Sequence, residues 1–287
     1  MTPTADPADV AVVIVNFRTP TLTLAAVRSV AAEPEIAEIV VVDNASGDGS
    51  ADLLRSHLAA EPRARLVASP ANVGFGRGLN LGAASCRAPL LLVLNSDAAL
   101  VAGSLAPLRR ALMDDESVGI VAPAVYTGDG RELQAAAHGV FPTLGAIARR
   151  TNHNPPETLW PDWVSGVAML VRRGDFEAVG GFDPDFSMYL EDVDLCRRVR
   201  AAGKSVRREL AAGVTHLGGQ SWQAADPPFD EAQRSRVVYY RKAGYPAVAR
   251  LAVRAIRLAH LAVARLRRRP GAMAGGDTEG TAQRVSG

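Results

Sequence analysis

Cysteine is scarce in this chain, which has two in 287 residues, Cys86 and Cys196. They lie far apart, and neither belongs to a Cys-x-x-Cys pair or to metal-ligand spacing, so neither a disulfide framework nor a zinc site is indicated. That usage fits a reducing cytoplasm. Long apolar runs are missing as well: no stretch of about 18 uncharged apolar residues occurs, and no cationic start leads into an apolar export segment. The expectation is a cytoplasmic protein that is neither exported nor membrane-spanning. A third absence is local, because residues 232–276 hold 11 Lys/Arg and no acid, whereas residues 1–231 hold 20 Lys/Arg against 28 Asp/Glu, a net of −8. An acidic body followed by an acid-free basic stretch predicts contact with an anionic membrane surface at the inner face of the cell membrane, and not with nucleic acid. What is plentiful is core material, since 48% of the residues are hydrophobic.

Those apolar residues fall into a repeating order. Residues 11–15 form a mostly β-branched run, and Leu22, Leu24, Val27 and Val30 then recur at helical spacing. The cycle continues with a strand at 39–42, a helix at 53–58, a strand at 65–67, a glycine-rich turn into a helix at 79–84, and the apolar strand 90–94. Continuous rather than alternating apolar strands indicate a parallel sheet buried on both faces, so the first 125 residues read as a Rossmann-like α/β unit. Prolines at 142, 155, 156 and 161 break residues 126–162 into loop or short helix. Beyond them, 163–171 reads as one strand, a helix runs from Glu191 towards the stop at Gly203, and C-terminal helices follow at about 229–243 and 246–268.

Ligands of open α/β sheets bind outside the carboxyl ends of the strands, and three of the strands here end in polar residues: Asn16-Phe17-Arg18, Asp43-Asn44-Ala45-Ser46-Gly47-Asp48-Gly49-Ser50, and Asn95-Ser96-Asp97. A carboxylate such as Asp43 can accept from a base imide or a ribose hydroxyl, and Asp97 suits a divalent cation. Residues 43–50 also read as a plain turn with Asp48 or Ser50 capping the next helix. The segment from Asn72 to Asn80 invites a dinucleotide-binding reading and fails it: counted from Gly74 the third glycine position is Leu79, and counted from Gly76 it is Leu81. A dehydrogenase is therefore disfavoured, while Gly74 still allows close backbone approach to a ligand and Arg77 is either a diphosphate contact or an exposed loop arginine. The densest constellation is Trp163 to Gly166, Gly180 to Phe186 and Tyr189 to Arg198, with four acids in the ten residues 185–194. Acids at a helix start are favoured by the macrodipole, and Asp194 is spaced to pair with Arg198. His216, at the end of a short strand, is a core histidine or a metal ligand.

On Asn16-Phe17, Asp43-Asn44 with Ser46, Asp48, Gly49 and Ser50, Asn72 to Asn80, Asn95-Ser96-Asp97, Gly180 to Asp183, Glu191-Asp192 with Asp194, Leu195 and Arg198, and His216, the chain resembles glycosyltransferase family 2 over about residues 10–243. Its bacterial rhamnosyltransferase-like branch is the nearest match. The resemblance implies the GT-A fold, a Rossmann-like, mostly parallel sheet flanked by helices, as one domain over 1–245 with a donor half (10–125) and an acceptor half (126–245). A basic amphipathic helix at 246–269 and a disordered tail at 270–287 would follow.

By the same resemblance, Asn16, Phe17, Asp43, Asn44, Gly74, Arg77, Asn80, Asn95 and Ser96 line the nucleotide-sugar side. Asp97 is the metal-binding last acid of an Asp-x-Asp-type motif, His216 is a second metal or diphosphate contact, and Mg²⁺ or Mn²⁺ is the cofactor. Asp192 is the general base, and Trp163, Gly166 and Glu191 lie on the acceptor side. Asn95 stands where the fuller motif has an acid, which removes one charge from the metal site.

The implied reaction is transfer of a sugar to a lipid-linked saccharide or cell-surface glycan, the branch's donor often being dTDP-L-rhamnose, with a UDP-sugar as the alternative. A cation neutralises the departing diphosphate, so no general acid is needed, and one carboxylate takes the proton of the attacking hydroxyl. The anomeric configuration inverts. A glycosidase would need two carboxyl groups flanking the bond. A sugar nucleotidyltransferase should carry a glycine-rich loop after the first strand, and residues 16–20 contain no glycine. A non-catalytic nucleotide-sugar-binding module would have no need for Asp97, Asp192 and His216 together. Glu191 and Asp194 are the rival bases, and their neutral substitution is expected to reduce stability or acceptor affinity more than chemistry.

Overall fold

The computed structural model describes residues 8–142, 154–218 and 229–244, with Leu251, Arg254, Ala255 and Leu258. The four isolated positions are helical and exposed. The remainder of the 246–269 helix and the whole 270–287 tail lie outside the described residues.

Strands and helices alternate from the start: β1 (Val10–Asn16), α1 (Pro20–Ala31), β2 (Ile36–Asp43), α2 (Ser50–Leu58), β3 (Ala64–Ala68), α3 (Phe75–Ala84), β4 (Leu90–Asn95), β5 (Ala98–Leu100), α4 (Leu105–Met113) and β6 (Val118–Thr127). Then come β7 (His138–Gly139), β8 (Trp163–Val164), β9 (Ala168–Arg172), α5 (Arg173–Ala178), α6 (Glu191–Ala201), β10 (Ser205–His216) and α7 (Phe229–Lys242). Eight strands make one sheet in the order β3-β2-β1-β4-β9-β6-β10-β5.

Strands β3, β2, β1 and β4 are mutually parallel, as the continuous apolar runs of β1, β2 and β4 predict. The reason for the continuity is visible along β1. Val10, Val12 and Ile14 enter one core with Leu24, Val27 and Val30 of α1, Leu54 of α2 and Leu108 of α4, while Ala11, Val13 and Val15 enter a second core with Leu79 of α3 and Val199 of α6. Successive side chains of a strand point to opposite faces, so a strand covered on both faces is apolar at every position.

Two strands run against the rest. Strand β9 is antiparallel to both β4 and β6, and β5 is antiparallel to β10. Residues 163–171, read from sequence as one strand, are two: β8 pairs with β7 in a small separate sheet, and 165–167 leave the ladder before β9 begins. Those three residues make contacts at the sheet's edge instead.

The glycine-rich stretch read as a turn is the first half of α3. Glycine weakens a helix by about 1 kcal/mol relative to alanine, and here close packing requires it. A Cβ at Gly82 would stand 2.3 Å from Val13 Cγ1, so α3 lies almost against β1. Gly74, at φ +89° before the helix, would place a Cβ 2.5 Å from the Ser187 carbonyl oxygen. The glycines of this segment thus meet protein, with Gly74 joining the start of α3 to the segment that leads into α6.

Candidate functional site

The carboxyl ends of the parallel strands converge on one edge, and three groups of side chains assemble there. The first lies at the ends of β1 and β2, where Asn16 and Asp43 are paired in register. Asn16 is buried and donates from Nδ2 to Asp43 Oδ1 (2.7 Å) and Ser46 Oγ (3.1 Å), while its Oδ1 accepts from the Thr23 hydroxyl (2.8 Å). Asp43 also accepts from Ser46 Oγ (2.6 Å) and from the Ser46 N–H (3.2 Å). Three donors converge on this buried carboxylate and fix its direction. Asn44 donates to Asn72 Oδ1 and the Gly74 carbonyl and accepts from the Val73 N–H, pinning 72–74 beside the end of β2. Phe17 is partly buried beneath the Arg18 guanidinium, 5.0 Å from the ring centre.

The second group arises from the crossing of β5. After Asn95 closes β4, Ser96 and Asp97 carry the chain over to β5, whose Ala98 pairs with His216 of β10. The jump brings Asp97 beside His216: Nε2 lies 3.2 Å from Asp97 Oδ1, and the side chains are 14% and 6% exposed. Asn95 Nδ2 is 3.4 Å from the same Nε2, and Asn95 Oδ1 is buried without a hydrogen-bond partner among the described residues. Ser96 Oγ accepts from the Thr19 hydroxyl (3.2 Å), linking this turn to the end of β1.

These donors fit a small divalent cation. A carboxylate oxygen and an imidazole nitrogen converge, with an uncommitted amide oxygen alongside; among the described residues no group of three or more His, Cys, Asp or Glu is placed to hold a metal ion by itself. A cation held there would draw its remaining ligands from diphosphate oxygens and water, as Mg²⁺ and Mn²⁺ do in nucleotide sites.

The third group is the start of α6. Tyr189 (φ +70°) and Leu190 (φ +65°) are both left-handed, a conformation that costs about 1–3 kcal/mol per non-glycine residue. Ser235 of α7 steadies the approach by donating to the Met188 carbonyl (2.6 Å), and Lys242 grips Asp183 (2.7 Å) and Asp185 (2.8 Å). The two left-handed residues deliver three acids to different surroundings. Asp194 is fully buried and pairs with both Arg197 (2.8 Å) and Arg198 (2.7 Å), so it is committed to structure. Asp192 keeps some exposure; its Oδ2 accepts the Gly166 N–H (2.9 Å) and its Oδ1 the Val193 N–H (2.7 Å). Burial raises its carboxyl above the ordinary range against the pull of those N–H groups.

Glu191 is buried beside Gly76, and its Oε2 has no hydrogen-bond partner among the described residues. Burial first, and then the charge of Asp192, push its carboxyl up to about 8. Beside the expectation that neutralising Glu191 reduces stability or acceptor affinity more than chemistry, this burial predicts a pH-dependent gain in stability. In the unfolded chain the group ionises near 4.5, so between there and about 8 the folded state holds a proton that the unfolded state has lost. This contribution is full below the unfolded value and is lost as pH rises through the window. Glu191→Gln should therefore raise Tm relative to wild type at pH 8 and give little or no gain at pH 5. Thermal melts showing the same difference at both pH values would refute the assignment.

The antiparallel strand ties the second and third groups together. Because β9 runs backwards, its beginning reaches the site's edge: the Val167 carbonyl accepts the Asn95 N–H (2.9 Å) while Gly166, one residue earlier, donates to Asp192. A Cβ at Gly166 would lie 3.2 Å from the Phe75 ring. Three residues expected at the site are occupied elsewhere. Arg77 donates to the Pro184 carbonyl (2.8 and 2.5 Å), Asn80 makes paired hydrogen bonds with the Phe182 backbone (2.7 and 2.8 Å), and Trp163 is buried with its indole N–H on the Val140 carbonyl (2.8 Å). Sequence reading passed over Thr23, a polar residue on the buried side of α1, and Gln134, which contacts His216 from a segment without periodicity.

The description "Glycosyl transferase family 2" belongs to the family model that matches residues 11–180. The N-acetylglucosaminyl-diphospho-decaprenol L-rhamnosyltransferase of Mycobacterium tuberculosis is 31% identical over 191 residues, which take in 58% of this chain and 61% of that protein's length. Among solved structures, a mannosyltransferase of Pyrobaculum calidifontis in complex with GDP-Man and Mn²⁺ aligns with TM-score 0.61 at 18% identity, covering 90% of this chain and 71% of that one. GalNAc-T7 with UDP, GalNAc and Mn²⁺ aligns with TM-score 0.61 at 16% identity over 79% of this chain and 48% of that one. At such identities these two likenesses establish the shared fold.

Proposed function

Since this chain belongs to glycosyltransferase family 2, we propose that it is a cation-dependent, inverting glycosyltransferase that moves L-rhamnose from a dTDP donor to a lipid-linked saccharide at an anionic membrane surface. The carrying observation is the bridge at 165–167, which joins the turn bearing Asp97 to the carboxylate of Asp192 through two adjacent residues. A group that holds a diphosphate and a group that takes a proton are thereby fixed relative to one another. Rhamnose and the lipid-linked acceptor are supported by the likeness to the mycobacterial N-acetylglucosaminyl-diphospho-decaprenol L-rhamnosyltransferase, and the membrane surface by the acid-free basic stretch 232–276.

In this reading Asp43, held by Asn16 and Ser46, accepts from the nucleoside. Asp97 and His216 would hold the cation, with Asn95 Oδ1 alongside, and the bound cation would neutralise charge developing on the departing diphosphate. Asp192 accepts the proton of the acceptor hydroxyl as that oxygen attacks the anomeric carbon from the face opposite the leaving group. Its raised carboxyl suits the task, because a base works best with a pKa drawn towards the working pH. Gly166 and Val193 fix the carboxylate's direction, so the reaction does not depend on capturing a mobile side chain.

The test is incubation with dTDP-L-rhamnose and a panel of UDP- and GDP-sugars, Mg²⁺ or Mn²⁺, and a prenyl-diphosphate-linked saccharide in anionic vesicles. The expected result is release of dTDP with a rhamnosylated lipid of inverted configuration. Transfer from a UDP- or GDP-sugar alone would overturn the donor, and release of nucleoside diphosphate from none of the panel would overturn the proposed activity.

A further inference from the structure

The imidazole of His216 is held from behind by a residue outside every motif. Gln134 lies in the excursion that leaves β6 at Thr127 and returns to it, where the Thr127 N–H donates to the Glu132 carbonyl (2.7 Å) and the Gln134 N–H to the Val125 carbonyl (2.8 Å). Its side-chain amide makes two kinds of contact with one partner. Nε2 donates to the His216 carbonyl (2.8 Å) and lies 3.4 Å from the Tyr126 carbonyl, and Oε1 lies 3.0 Å from His216 Nδ1.

This geometry fixes where the ring's hydrogen sits. Backbone carbonyls only accept, so the amide nitrogen must face them and Oε1 must face the ring. An amide oxygen also only accepts, so Nδ1 carries the hydrogen. In the neutral ring Nε2 then presents its lone pair, and it does so towards Asp97 Oδ1 at 3.2 Å. Two electron-rich atoms at that distance repel unless a proton or a cation lies between them.

We propose that Gln134 is a positioning residue of the cation site: it locks the tautomer and ring angle of His216 so that Nε2 is a ready ligand, and it holds the backbone of the same residue against β6. The proposal rests on the reading of Asp97 and His216 as that site. Residues that hold the far ring nitrogen of a ligating histidine commonly set metal affinity in this way, and losing one weakens it about 10–100-fold.

The test measures Mn²⁺ binding to the full chain at fixed pH by electron paramagnetic resonance, with and without dTDP, alongside thermal melts. Gln134→Met should raise the Mn²⁺ Kd by about 10–100-fold, and Gln134→Glu, whose carboxylate still accepts the Nδ1 hydrogen, should bind Mn²⁺ within about threefold of wild type. A purely structural role predicts otherwise, because Glu forfeits both donor contacts to the carbonyls of Tyr126 and His216 and should do at least as much harm as Met. In a His216→Ala background, Gln134→Met should add nothing further.

Wild-type-like Mn²⁺ binding by Gln134→Met overturns the proposal. So does a Glu variant no better than Met, or an undiminished Gln134→Met effect in the His216→Ala background. If Gln134→Met does not fold, Gln134→Glu decides alone, and weakening of about tenfold or more overturns the role. A wild-type chain that binds no Mn²⁺ in either condition removes the cation site itself, an outcome distinct from failure of Gln134 alone.

Discussion

Replacing Asp192 with Asn is expected to lower kcat by about 10²–10⁴-fold, the usual worth of a general base, while nucleoside-diphosphate binding stays close to wild type. Asn keeps the shape and an oxygen to accept one of the two N–H groups, so the start of α6 should remain in place. What it loses is the ability to take a proton. In the proposed reading, donor binding rests on Asp43 and the Asp97–His216 pair, on the other side of the 165–167 bridge, and the change should fall on the chemical step. The pH profile supplies a second readout. Because burial raises the Asp192 carboxyl, single-turnover rates in the wild type should fall as pH drops through a value above the ordinary aspartate range, and the Asn variant should lack that limb. Wild-type single-turnover rates in Asp192→Asn, or a dead but folded Asp194→Asn, would place the base elsewhere.

Asp97→Ala is expected to reduce transfer by about 10³-fold or more, corresponding to several kcal/mol of charge stabilisation supplied by a bound cation. Mn²⁺ affinity should fall with it, and nucleoside binding at Asp43 should persist. The fold should survive, since removing Asp97 takes away one of two electron-rich atoms that face each other at 3.2 Å and leaves the ladder between β5 and β10 untouched. Excess EDTA on the wild type should reproduce the loss, and Mn²⁺ should restore it. Full turnover in EDTA, or an Asp97→Ala protein that transfers sugar normally, would eliminate cation dependence.

The sequence was most readable where one physical rule dominated. Strands β1, β2 and β4 are covered on both faces along most of their length, so apolar continuity gave them away, and polar residues at their ends marked Asn16, Asp43 and Asp97 as places to look. Direction was not readable in the same way. The apolar residues of β9 would suit a parallel or an antiparallel strand equally, and only the neighbours on each side reveal that it runs backwards. The interruption at 165–167 was hidden for a related reason: Ser165, Gly166 and Val167 are compatible with a strand, and their backbone groups are drawn off by Asp192 and Asn95, far away in sequence.

Side-chain roles were legible in part. The acids of α6 stood out by density, but their division of labour depends on burial, which separates Glu191, Asp192 and Asp194 although they span four residues. Arg77 and Asn80 carry side chains suited to a ligand, and instead hold the backbone of 182–184. Gln134 offered nothing to find, because one glutamine in an aperiodic loop has no pattern, and its meaning comes only from the carbonyls that orient it.

The reversed strand also governs the order in which the molecule can be completed. Residues 90–94 and 120–121 emerge from synthesis long before 168–172, yet β9 is the element that joins β4 to β6. Until it arrives, two apolar strands present unpaired edges, the kind of surface that recruits other chains. Closure must wait for a contact between distant parts of the chain, which makes assembly slow compared with the local helix pairings of the first hundred residues. Early and late parts of the chain therefore share one sheet, and no fragment ending before Arg172 contains the strand that joins its two sides.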